Sequence, residues 1–81
     1  MPLAEAWRYL TIVQEWAGIQ ESNRKLPLRD RVQKVQLAEK HDITTRELDA
    51  MLAWYAKHLR EGRFPKDPRT LSRGELEKWF E

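Results

Sequence analysis

The chain has 81 residues with a net charge of +2, 41% hydrophobic and 35% charged side chains, and no cysteine, a balance that is neither disordered nor membrane-spanning in character. The length leaves room for one helical domain over residues 1–81 with a modest core, and the missing thiols exclude disulfides and thiolate metal sites. No apolar run approaches the roughly 18 residues of a membrane helix, and the start MPLAEAWRYL lacks the basic opening of a signal peptide, so a cytoplasmic protein with no membrane partner is expected.

From the N-terminus, the first predicted helix covers about residues 3–20. Leu3, Ala6, Leu10, Val13 and Ala17 form one stripe at helical spacing, with Trp7 at its edge. Tyr9, Ile12, Trp16 and Ile19 form a second stripe on another side. A helix packed against a single neighbour needs an apolar arc of only about 100°. Two stripes therefore place this helix centrally among the others or turn one flank towards a second chain, which would allow a homodimer. The polar segment ESNRKL at 21–26 reads as a loop. Pro27 suits a helical first turn, and a second helix is predicted over about 28–41, burying Leu28, Val32, Val35 and Ala38.

The third helix, about 45–61, has the clearest start. Thr44 and Glu47 have the spacing of a capping box, with Ile43 and Leu48 as its hydrophobic staple. It should bury Leu48, Met51, Leu52, Tyr55 and Leu59 and stop at Gly62. Ser72 and Glu75 repeat the box ahead of a short helix over about 73–80, which presents Leu76, Trp79 and Phe80. The connector at 63–70 contains Pro65 and Pro68, so it is expected to be extended and non-helical, pinned by Phe64. No segment reads as a strand. The predicted fold is all-α: three main helices plus a short C-terminal one.

Only Asp42–Thr44 separate the second helix from the third. The stretch QLAEKHDITTRELDAM at 36–51 resembles a helix-turn-helix unit, which would form a hairpin at about 28–61. Ala38 occupies the position where that motif keeps a small residue, and Ile43, Leu48 and Met51 match its apolar anchors. Asp42 stands where glycine is usual, and it tolerates a left-handed backbone better than most residues. The resemblance implies DNA binding, with Thr45, Arg46 and Asp49 facing the major groove. Glu47 and Asp49 work against the approach of phosphates.

Charge is segregated along the chain. Arg24, Lys25, Arg29, Arg31 and Lys34 face one acid, Asp30, between residues 24 and 34. Six basic residues stand against Glu61 and Asp67 between 57 and 73. Such runs can steer a polyanion, and the first would supply phosphate contacts.

The catalytic motifs are missing. His41 and His58 lack metal-ligand spacing. Ser22 and Ser72 lie in no nucleophile elbow, and Gly18, Gly62 and Gly74 form no phosphate loop. No cofactor, metal or small-molecule substrate is expected. Of four tryptophans, Trp7 and Trp54 suit a core, whereas Trp16 and Trp79 suit an interface. Two functional readings follow. The first is a regulatory DNA-binding module. The alternative is an adaptor, inhibitor or small subunit that offers Ile12, Trp16, Arg60, Arg63, Arg69, Trp79 and Phe80 to a larger protein partner.

Overall fold

The computed structural model describes residues 1–81 and contains helices and turns only, with no strand. Helix α1 spans Leu3–Asn23, α2 Lys34–Lys40, α3 Thr45–Arg60 and α4 Arg73–Leu76, with single 3-10 turns at Leu28–Asp30 and Pro68–Thr70. The molecule measures 40 × 24 × 19 Å along its principal axes.

Helix α1 is the central element, packing against α3, the 68–70 turn and α4. Both of its predicted stripes are used. Ala6, Leu10, Ile12 and Val13 are buried, and Tyr9 meets Trp54 edge-on at 5.5 Å. They join Leu37, Leu48, Met51, Tyr55, Phe64, Leu71 and Leu76 in one core cluster. Burial of Ile12, which is 2% exposed, removes it from any set of interface residues.

The predicted second helix over 28–41 does not form as one piece. Residues 28–30 make a 3-10 turn, residues 31–33 are extended at Arg31 and Gln33, and the α-helix begins at Lys34. The cause is local competition for backbone bonds. The Asn23 carboxamide accepts from the Val32 N–H and donates to the Val32 carbonyl, both at 2.9 Å. A residue held at both of its backbone groups cannot also serve a helical ladder. Asn23 itself belongs to α1, which runs three residues beyond its predicted end at residue 20. Pro27 caps the 3-10 turn in an extended conformation (ψ 154°) instead of entering a helical turn. Leu28, Val32 and Val35, expected in the core, are exposed; Leu28 is 75% accessible. Ala38 is buried as expected, and Leu37 joins it.

The corner between α2 and α3 explains the helix-turn-helix likeness. Asp42 adopts φ 54°, the Ile43 N–H reaches back to the Ala38 carbonyl at 3.0 Å, and the Asp42 N–H reaches Glu39 at 3.2 Å. Those two bonds close a Schellman motif with aspartate in the position glycine usually takes. The Thr44 hydroxyl then accepts from the Glu47 N–H at 3.0 Å while the Glu47 carboxylate accepts from the Thr44 N–H. One helix is thus terminated and the next started within four residues. The same closure ends α3, where Gly62 takes φ 78° and the Arg63 N–H bonds the His58 carbonyl at 2.9 Å.

The connector is pinned by Phe64, which is buried, and by the Tyr55 hydroxyl donating to the Pro65 carbonyl. Burial is the main reason the Tyr55 phenol is pushed up to about 12, with Asp67 and Glu75 adding to it. The connector is not wholly extended, because Pro68 opens a 3-10 turn whose free N–H at Arg69 is capped by Asp67. The last helix is also shorter than its predicted span of 73–80. After Leu76 the chain continues in turns, with Lys78 bonded to Glu75 and Trp79 to Leu76. Ser72 caps it, accepting from the Glu75 N–H at 3.2 Å.

Candidate nucleic-acid interface

The residues expected to face a DNA groove sit at the start of α3, and Thr45, Arg46 and Asp49 are all exposed there. Electrostatically this end is nearly self-satisfied. Lys34, one of the expected phosphate contacts, is bound instead to Asp49 at 2.9 Å. Lys40 on α2 bonds Glu15 of α1 at 2.9 Å, and His41 Nε2 lies 3.1 Å from the same carboxylate. The Lys40 hydrogen bond is the main reason the Glu15 carboxyl lies below its ordinary range; the His41 contact lowers it further, and burial opposes both. Arg46 is left as the one cation at the corner without a carboxylate partner, in a segment whose sequence also carries Asp42, Glu47 and Asp49.

A different surface gathers free positive charge. Where α1 ends, Gln20, Asn23, Arg24 and Arg31 line one open depression. Arg31 is held in place by its Nε donating to the Leu26 carbonyl at 3.0 Å, so both guanidinium Nη groups remain available. Arg24 lies 3.6 Å from Glu21 in an exposed pair, a geometry that contributes little. Gln20 and Arg24 also line a second, adjoining depression with Glu21, Lys66, Asp67 and Arg69. Arg69 donates to both oxygens of Asp67, at 3.1 Å each. That pairing, led by the hydrogen bonds, lowers the Asp67 carboxyl and raises the Arg69 guanidinium. Lys66 has no carboxylate partner. Lys25 and Arg29 extend the charge along the exposed 24–30 segment.

The expected phosphate set is therefore divided by the fold. Arg24 and Arg31 are brought together, Lys25 and Arg29 stand on the same exposed segment, and Lys34 is diverted to the corner. Lys66 and Arg69 join Arg24 and Arg31 from 42 or 45 positions further along the chain, counted from Arg24. Only Arg69 was singled out from sequence, and for a protein interface. Lys66 was missed because nothing local places the connector beside the end of α1. The long-range signal is Gln14, whose amide donates to the carbonyls of Pro68 and Leu71 at 3.0 and 3.2 Å.

The remaining interface candidates are scattered. Trp16 is half-buried and lines an apolar groove between α1 and α3. Phe80 is half-buried against Trp54 and His58, at 5.8 and 5.3 Å between ring centres. Trp79 is 50% exposed and has the Arg63 guanidinium 5.9 Å over its ring. Arg63 also pairs with Glu61 and donates to His58 Nδ1 at 3.0 Å. Burial, and then Arg63, pushes the His58 imidazole below its ordinary value. Arg60 is exposed at the end of α3. No cluster of three or more histidine, aspartate or glutamate side chains is placed to hold a metal ion, and no helix is long and apolar enough to cross a membrane. No protein-family model, curated protein or solved structure matches this chain.

Proposed function

We propose that this protein is a non-enzymatic nucleic-acid-binding module that grips a DNA phosphate backbone with Arg24, Arg31 and Lys66. The observation carrying this reading is the convergence of those three cations, from three separate parts of the chain, on two adjoining depressions that share Gln20 and Arg24. Guanidinium forks suit phosphate geometry, and the Gln20 and Asn23 amides add polar groups to the same wall. Only Glu21 and Asp67 oppose them, and Asp67 is occupied by Arg69. On this reading the helix-turn-helix-like corner is chiefly a packing device, with Thr45 and Arg46 at the margin of the bound surface.

The test is fluorescence anisotropy with a mixed-sequence labelled duplex between 50 and 200 mM salt. Affinity should fall steeply, with a log–log slope of about −0.9 for each phosphate neutralised. No retention of duplex or single strand at the lowest salt would remove the proposal.

A second reading draws on a different observation. Leu26, Leu28, Val32 and Val35 are exposed apolar side chains among Arg24, Lys25, Arg29 and Arg31, a combination suited to an acidic protein partner. Co-purification of one defined acidic protein, lost on Leu28→Asp, would favour it over DNA.

A further inference from the structure

The groove between α1 and α3 opens beside the basic face. It is open to solvent and offers about 190 Å³, and Val13, Trp16, Ala17, Leu52, Ala56 and Leu59 form its apolar lining. Pockets for drug-sized ligands start at about 300 Å³, so this slot suits one planar ring better than a whole metabolite. Gln20 and Lys66 are part of its lining; Gln20 also lines both cationic depressions, and Lys66 lines the one with Arg24 and Arg69. Its far wall is fixed in place: Gln14 holds the carbonyls of Pro68 and Leu71, and the Tyr55 hydroxyl holds that of Pro65. The result is an apolar slot with guanidinium and ammonium groups beside it and an amide at its mouth.

Resting on the phosphate-binding reading above, we propose that this groove seats an unpaired base, so that the preferred ligand is single-stranded nucleic acid. Phosphates alone give no reason for an apolar slot beside the cations. A duplex keeps its base faces stacked inside, whereas a single strand can offer one ring face to an aromatic wall and keep its flanking phosphates outside. Trp16 supplies that wall, Leu59 and Ala56 the opposite side. The Gln20 amide offers a donor and an acceptor to the base edge. Lys66, Arg24 and Arg31 would take the phosphates that flank the seated nucleotide.

The experiment compares three labelled 15-mers on the full chain: a thymidine single strand, an abasic strand with the same number of phosphates, and a duplex. The thymidine strand should bind roughly 5- to 150-fold more tightly than the abasic strand if one base is stacked. Ala56→Phe fills the slot without deleting a core side chain, and it should abolish that advantage in protein whose thermal melt remains cooperative. Gln20→Ala should reduce it at an exposed position. Equal affinity for thymidine and abasic strands would overturn the inference while leaving the phosphate-binding reading intact. An advantage that survives Ala56→Phe would overturn it too, since the base would then stack elsewhere. Failure of all three probes to bind at low salt would instead defeat the underlying reading.

Discussion

The start of α3 and the end of α1 are both rich in cations, but they hold them in opposite states. At the first, Lys34 and Lys40 are bound to Asp49 and Glu15 across helix boundaries, and the surface has little charge to offer a ligand. At the second, Arg31 and Lys66 lack any carboxylate partner, and Arg24 is only loosely paired. The lesson concerns the use of charge. Cations that bridge elements help to build the fold, whereas cations held by backbone carbonyls or left unpaired remain available to a ligand.

Five measurements test this contrast. The largest effect should come from the corner's core. Leu48 is fully buried behind the Thr44 cap, and Leu48→Ala should cost about 2–5 kcal/mol in a denaturant titration. A loss below about 1 kcal/mol would mean that the corner is not the structural half of the pair. Next, Arg24→Glu with Arg31→Glu should weaken nucleic-acid binding at least about tenfold at low salt and flatten the duplex salt slope by about two units. Arg46→Ala should change the slope by less than one unit. The reverse ranking would return the function to α3.

Removing the α3 cap by Thr44→Ala should destabilise by about 1 kcal/mol, read from the denaturation midpoint, with duplex affinity unchanged at a temperature where the variant is folded. Acidification tests the other end of α3. His58 is held below its ordinary value of about 6.5, so the unfolded chain binds its proton first. That contribution is present above about pH 6.5 and is lost as pH falls through the lower, folded value. His58→Phe should flatten the stability profile in this window, measured by melting at successive pH values. The Glu15 contribution has the other window: it is complete above the ordinary glutamate range near pH 4.3 and is lost as pH falls further. The smallest effect should be Leu28→Ala, below about 0.5 kcal/mol, because this side chain is 75% exposed. A larger loss would mean that the 24–33 segment is structural after all.

Much of the fold was legible because its signals are local. The Thr44–Glu47 box, the Ser72 cap, the Gly62 stop and the left-handed tolerance of Asp42 each act within four or five residues, and each is found where the sequence puts it. The second box is only half formed, because the Glu75 carboxylate bonds the Ser72 hydroxyl and not its backbone N–H. The second helix departs from its predicted span over 28–33 because its disruption comes from Asn23, nine residues before Val32. Periodicity alone favours burying Leu28 and Val32, and it carries no information about a side chain that competes for the backbone. The candidate site was legible only in part. Arg24 and Arg31 belong to a visible basic run, but Lys66 reaches them through the Gln14 bonds to the connector, across more than fifty residues. Linear charge counting also could not separate Lys34 from its neighbours, since its partner Asp49 lies on another helix.

Those Gln14 bonds have a consequence for biosynthesis. The apolar flanks of α1 are covered by segments made later: α3 first, then Phe64, the 68–70 turn, Leu71 and Leu76. A ribosome that has released only the first forty residues therefore exposes an amphipathic rod with nothing to close over it. Collapse onto α1 must wait until α3 emerges, and it is completed only by the connector and α4. Nascent molecules stalled before that point should be the species most prone to aggregate and most dependent on chaperones.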